Sequence, residues 1–236
     1  MMDDYKTRTR LLLGGNAMDK LSSVCVAVVG LGGVGGTCAE ALVRCGIGHL
    51  ILMDNDRVDV TNLNRQLFAT ASQIGHFKTD AAKERLLSIV PELKLTLLSQ
   101  FFGEETKDSL FSLQPDIVVD AIDTVTAKLC LAKECQRRNI PIICSLGTGN
   151  RLDPSAFRLG KIEDTRGCGC GLARIMRQEC RKREIQSLDV LYSTEIPRRV
   201  FIGGANGRHS PASISFCPPT AGYLIASWVV KKIIEE

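Results

Sequence analysis

The chain has 236 residues, 44% of them hydrophobic and 24% charged, with a formal net charge of +4 at pH 7. That length buries one substantial core, with at most a smaller appendage, and 21 glycines with 8 prolines exclude a collagen-like or disordered composition. The mild positive charge admits nucleic acid as a partner without demanding it, and no apolar run approaches the roughly 18 residues of a membrane span.

Residues 1–23 read as an N-terminal arm and helix. An apolar strand over 24–29 runs into Gly30, Gly32, Gly33 and Gly35, and residues 34–43 continue as helix. A strand, a glycine turn and a helix in that order bring backbone N–H groups close to a phosphate at the positive helix end. Strands follow at 50–53, 94–98, 117–119 and 140–144, each a short apolar run bounded by polar residues or proline, with helical spacing at 79–89 and 124–138. The alternation predicts an α/β fold, a doubly wound and mainly parallel Rossmann-like sheet. After Asn150 the pattern changes to a basic amphipathic helix over 172–183, short strands at 190–193 and 213–216, and a turn-rich loop over 198–213. Pro218 and Pro219 precede a closing helix from Ala221 to about Ile234. One domain is expected, a core over 24–150 carrying a C-terminal extension over 151–236.

Ten cysteines with no secretory signal ahead of the first strand predict a reduced, cytoplasmic protein; Cys25, Cys38, Cys45, Cys130, Cys135 and Cys144 fall within apolar patterns, where thiols pack as small hydrophobes.

The chemistry gathers at strand ends. Asp54 closes the second strand, where a carboxylate meets ribose hydroxyls, and that feature suits a nicotinamide enzyme equally well. Asn62, Arg65 and Gln66, then Lys78 at the head of the next helix, add two permanent cations and two amides. A dinucleotide needs little positive charge beyond the helix end, whereas a triphosphate reacting at its α-phosphorus needs several donors. No Gly-x-x-x-x-Gly-Lys-Ser/Thr loop occurs, so phosphate transfer is organised differently from P-loop enzymes. Asp120 and Asp123 follow the fourth strand, where a carboxylate would hold magnesium against phosphates; Asp123 also fits a helix N-cap.

Taken together, Gly30-x-Gly32-Gly33-x-Gly35, Asp54, Asn62-x-x-Arg65-Gln66, Lys78 and Asp120-x-x-Asp123 resemble the adenylating domain of the ubiquitin-activating-enzyme-like (ThiF- and MoeB-like) superfamily. The flanks are most similar to the tRNA threonylcarbamoyladenosine dehydratases, through residues 8–14, 172–177, 192–195 and 213–216. The resemblance implies a single ATP-binding adenylating domain that activates the carboxylate of threonylcarbamoyladenosine in tRNA and closes it to a cyclic base with release of AMP. It implies ATP and Mg2+ as cofactors, with Asp54 on the ribose, Asn62, Arg65 and Lys78 on the phosphates, Gln66 beside the nucleotide and Asp123 on magnesium. It further implies a homodimer in which Arg8, with Arg10 as the alternative, reaches into the partner's site, and it leaves a sulfur-transfer or redox partner open.

The chain departs from its relatives in two respects. The paired Cys-x-x-Cys zinc knuckles of the sulfur-carrier activators are absent, and Cys168-Gly169-Cys170 makes a poor tetrahedral site. The cysteine that some dehydratases carry before Ser-Thr-Glu is replaced within 189–192, leaving Cys217 as the residual thiol candidate, beside Phe216 at a helix entrance that favours packing. Arg174, Arg177, Arg181, Lys182 and Arg183 share helical faces suited to a phosphate backbone, with Glu179 and Glu184 opposing them. Arg198, Arg199, Arg208 and His209 would add RNA contacts from the loop. Two alternatives stand beside this reading. Adenylation of a ubiquitin-like sulfur carrier uses the same chemistry, and an NAD-binding redox or sensor protein leaves Arg65, Lys78 and Asp123 without a role.

Overall fold

The computed structural model describes residues 4–200 and 211–235. Seven strands form one sheet: β1 (Cys25–Val29), β2 (His49–Met53), β3 (Lys94–Leu98), β4 (Ile117–Asp120), β5 (Ile142–Ser145), β6 (Phe157–Lys161) and β7 (Asp189–Ser193), in the order β3-β2-β1-β4-β5-β7-β6. All neighbours pair in parallel except β6 with β7. The central strands are mostly apolar, as a sheet covered on both faces requires: Val26, Ala27, Val28, Leu50, Ile51 and Leu52 are all fully buried.

The helices are α1 (Thr7–Leu13), α2 (Gly15–Ser23), α3 (Gly35–Cys45), α4 (Lys78–Leu87), α5 (Lys107–Phe111), α6 (Val125–Arg138), α7 (Gly171–Lys182) and α8 (Cys217–Glu235). The N-terminal arm is two helices, because Gly14 at φ +83 breaks the run. α3 and α8 pack closely beneath the sheet: a Cβ on Gly222 of α8 would lie 2.4 Å from the Val34 carbonyl oxygen.

Three sequence expectations change. The edge strand β6 was not anticipated. Residues 213–216 are not a strand, because side chains take the local backbone groups: Asn64 Nδ2 donates to the Ser213 carbonyl (3.1 Å) and the Ala212 N–H to Asn150 Oδ1 (2.8 Å). The closing helix starts at Cys217 and includes both prolines, which the first turn tolerates because its N–H groups lack intrahelical acceptors. All ten cysteines are unpaired, and among the described residues no helix is long and apolar enough to cross a membrane.

The turn between β1 and α3 leaves no room for a side chain. A Cβ on Gly35 would lie 1.8 Å from the Gly30 carbonyl oxygen, a backbone contact that no rotamer relieves. Gly35→Ala is therefore expected to cost about 3 kcal/mol or more, the upper end for overpacking, read as the shift in urea unfolding midpoint; a loss below about 1 kcal/mol would mean that the turn gives way easily.

Candidate functional site

The strand order reverses between β1 and β4, and at their carboxyl ends lies a cavity of about 500 Å3. Such switch points are where open α/β sheets leave a crevice. Gly30, Gly32, Gly33, Asp54, Asn62, Arg65, Gln66, Lys78 and Asp123, drawn from positions up to 93 residues apart, all line this one cavity.

Gly30 adopts φ +91, and a Cβ there would lie 2.6 Å from the Ala121 carbonyl oxygen, so the turn is pressed onto the exit of β4. Gly32 has only Gln66 Nε2 nearby, at 3.9 Å from a notional Cβ, and its backbone is the part of the turn open to a ligand. Gly35 does not line the cavity; it shapes the turn from behind. Asp54 ties the turn to β2, its carboxylate accepting the N–H of Leu31 (2.6 Å) and of Asp56 (2.8 Å). Burial pushes the Asp54 carboxyl above the usual carboxylate range, against the opposing pull of the Lys78 ammonium and the two amides. A carboxylate has acceptor capacity beyond two bonds, so hydroxyls can still be received.

The segment after β2 turns through a short 3-10 helix, Val60–Asn62. Asn62 is buried with its Oδ1 accepting the Asp59 N–H (3.1 Å), while Asp59 accepts the Thr61 N–H (2.8 Å). Arg65 follows half-buried, its guanidinium steadied on the Thr61 carbonyl and Asn64 Oδ1 (2.9 Å each). Lys78 is buried at the first position of α4, and its Nζ donates to Asp56 Oδ2 (2.6 Å). A ligand with more negative charge than one carboxylate competes for that ammonium.

Asp123 is exposed at the cavity edge and accepts the Thr124 hydroxyl (3.2 Å). It is not the α6 N-cap: that position belongs to Thr124, whose side chain makes no capping bond. Among the described residues no three His, Cys, Asp or Glu side chains gather into a metal cluster. One exposed carboxylate nevertheless suits Mg2+, which takes its remaining ligands from water and phosphate.

Asp120 is withdrawn from the cavity. It is fully buried, and its Oδ1 accepts from Lys128 Nζ (3.0 Å) and from the Ile122 N–H (3.1 Å). Lys128 is likewise fully buried and also donates to the Ser145 carbonyl (2.8 Å) and Cys144 Sγ (3.4 Å). Asp120 Oδ2 has no hydrogen-bond partner among the described residues. This ion pair underlies the 121–123 turn that lines the cavity.

Sequence reasoning missed several lining residues. Gln100, Phe101 and Phe102 follow β3 and supply an aromatic wall; two aromatics directly after a strand's carboxyl end were the available signal. Thr148, Gly149, Pro211 and Ser213 form the far rim. There Asn150, itself at φ +59, holds Ala212 with two hydrogen bonds and accepts the Arg198 N–H (2.8 Å). Behind the rim, the Glu195 carboxylate accepts the N–H groups of Leu152 and Asp153, while buried Arg151 donates to the Gly147 carbonyl (3.1 Å) and to the Glu195 carbonyl.

Other predicted residues lie elsewhere. Arg8 is exposed on α1, outside the cavity, and makes no ion pair among the described residues, whereas Arg10 is bound to Asp4 (3.0 Å). Arg198 and Arg199 are exposed; Arg208 and His209 lie outside the described residues. On α7, Lys182 and Arg183 are both paired with Glu179. Cys217 is buried, its thiol donating to the Arg151 carbonyl (3.3 Å), and burial, with Glu195 and Asp153, raises its pKa, the opposite of an activated thiol. Cys168 is buried, and Cys170 Sγ accepts the Ala173 N–H (3.5 Å) at the start of α7.

A family model described as the ThiF family matches residues 5–236. The tRNA threonylcarbamoyladenosine dehydratase of Bacillus subtilis is 36% identical over 242 residues, which span 98% of this chain and 94% of that protein. Crystal structures of the E. coli tRNA N6-threonylcarbamoyladenosine dehydratase TcdA superpose at TM-scores of 0.87 in complex with AMP and 0.86 in complex with ATP. Both are 29% identical, covering 97% of this chain and 93% of theirs.

Proposed function

The chain belongs to the ThiF family, and from that membership we propose that it is an ATP-dependent tRNA threonylcarbamoyladenosine dehydratase acting in the cytoplasm. The observation that carries this is one cavity lined by a glycine turn, two cations, two amides and an exposed carboxylate, in a chain matched over 98% of its length by a dehydratase.

A carboxylate of the modified base attacks the α-phosphorus of ATP, and pyrophosphate leaves with the electron pair of the broken anhydride bond. An amide nitrogen of the same base then attacks the acyl carbon and loses its proton. AMP departs with the former carboxylate oxygen, so the base has lost one water. Carboxylate and triphosphate repel each other until positive charge intervenes, and Arg65 and Lys78 supply it from fixed positions. Asn62 and Gln66 donate amide hydrogen bonds beside them, Asp54 receives the ribose hydroxyls, and Gly30, Gly32 and Gly33 let the backbone approach the phosphates. Asp123 would hold Mg2+, which when bound neutralises phosphate charge.

The working unit is proposed to be a homodimer. α1 buries none of its residues, and Leu11 and Leu12 are each 82% exposed. Helical spacing places both on the face that carries Arg8, so covering the leucines with a second copy carries Arg8 toward that copy. Arg198 and Arg199, exposed outside the cavity, would add contacts to the incoming RNA.

Incubation with ATP, Mg2+ and tRNA bearing threonylcarbamoyladenosine is expected to release AMP and remove one water mass from the nucleoside. AMP release or pyrophosphate exchange with a ubiquitin-like carrier protein, and none with the tRNA, would overturn the assignment.

A further inference from the structure

A second cavity, of about 690 Å3, shares no residue with the first. It opens between α7 and the 3-10 turn Ile162–Thr165, with residues 184–187 as its third wall. Arg174, Arg177 and Arg181 lie three or four positions apart on α7 and form one stripe, while Ala173, Met176 and Cys180 on the opposite side are buried in the core. Arg177 is fixed, donating to the Thr165 carbonyl (2.9 Å) and hydroxyl (2.6 Å). The side chains of Arg174, Arg181 and, from outside the helix, Arg166 make no hydrogen bond or ion pair among the described residues.

Four guanidiniums facing one cleft repel each other and invite an anion. The same cleft holds Glu163, Glu184 and Gln178, acceptors and an amide that a bare phosphate does not use but that ribose hydroxyls and base edges do. Ile185 is the one apolar residue among those that line it, so its apolar surface comes mostly from the stems of charged and polar side chains, the kind that follow a backbone of sugars and phosphates. We infer that this cleft seats a stretch of the RNA sugar-phosphate backbone, a docking site on the tRNA distinct from the modified base, held by Arg166, Arg174 and Arg181. The inference rests on the dehydratase reading for the identity of the RNA. It also redistributes the basic helix: Lys182 and Arg183, both paired with Glu179 and outside the cleft, are not part of the grip, and Arg166 is.

The test uses the full chain carrying Arg174→Gln with Arg181→Gln, and separately Arg166→Gln, in filter binding of tRNA across a salt series. All three side chains lack partners, so melting temperature should hold. Each lost arginine is expected to lower the slope of log affinity against log salt by about 0.7–0.9, and the double variant to bind about tenfold more weakly. KM for tRNA rises correspondingly while kcat at saturating tRNA and KM for ATP stay unchanged, and Lys182→Gln leaves the slope as it was. Slopes and affinities equal to wild type would overturn the site. So would a thermal shift by inorganic phosphate that the variants abolish without touching tRNA binding, since the cleft would then take a small anion. Wild-type protein that binds tRNA with the arginine-dependent slope but releases no AMP would count against the dehydratase reading and leave the docking site standing.

Discussion

Arg65→Ala lowers kcat by about three orders of magnitude, the scale for removing one preorganised charge from a transition state, and leaves the melting temperature unchanged. Its guanidinium is held by one backbone carbonyl and one side-chain oxygen, contacts near the surface that contribute little to folding. The negative charge on the oxygens around the reacting phosphorus and on the departing pyrophosphate builds up in the transition state, so the loss falls on kcat more than on KM for ATP. Asp123→Ala behaves alike, because its carboxylate makes only one hydrogen bond, to the neighbouring Thr124. Arg8→Ala joins them if α1 delivers it across the dimer. Mixed with Arg65→Ala, it then recovers part of the activity, since a hybrid dimer holds one site with both arginines. Steady-state AMP release measures all of these; an Arg65→Ala protein within tenfold of wild type, or mixtures with no recovery, would remove the respective roles.

The largest loss of stability is expected from Lys128→Met, at about 3–5 kcal/mol, the cost of breaking a buried ion pair from one side. Asp120 would be left fully buried with only the Ile122 N–H on its Oδ1 and, among the described residues, no partner on its Oδ2. Lys128→Met with Asp120→Asn is expected to recover a good part of that, because replacing both partners removes the stranded charge. For Lys128, burial works against the charge, but Asp120 and Cys144 outweigh it and the pKa ends above the ordinary lysine value. A pKa raised on folding stabilises fully below the unfolded value of 10.5 and is lost only as pH climbs through the folded one. The gap between wild type and Lys128→Met should therefore be flat between roughly pH 7 and 9 and close only in stronger alkali. Urea unfolding at several pH values measures it, and a cost under about 1 kcal/mol would show that water reaches the pair.

The core sheet was legible because β1, β2 and β4 each carry a short apolar run, and the cavity because Asp54 and Asp123 stand close after such runs and Arg65 and Lys78 on the connection that leaves β2. β6 was not, since Phe-Arg-Leu-Gly-Lys is a charged edge strand with glycine inside, and strand patterning is weakest where one side meets water. The segment 213–216 carries strand-like residues, but side chains from Asn64 and Asn150, distant in sequence, take the backbone groups a ladder would use. Lys128 looks like an ordinary outward-facing lysine on a helix; what buries it is a carboxylate eight residues earlier on another element, a pairing that periodicity does not encode. The same limit hid Asp56 as the partner of Lys78 and Asp4 as the partner of Arg10. Charge counts along α7 likewise pooled cations that the fold sorts by whether Glu179 reaches them.

Pro218, at the head of α8, packs where a Cβ on Gly33 would meet it at 2.8 Å, and both residues line the nucleotide cavity. The glycine turn is therefore made well before Pro218, the residue that packs against it. Pro211, Ser213 and Pro218 line the cavity together with that turn, so a chain extended only through Asp123 lacks this part of the cavity wall.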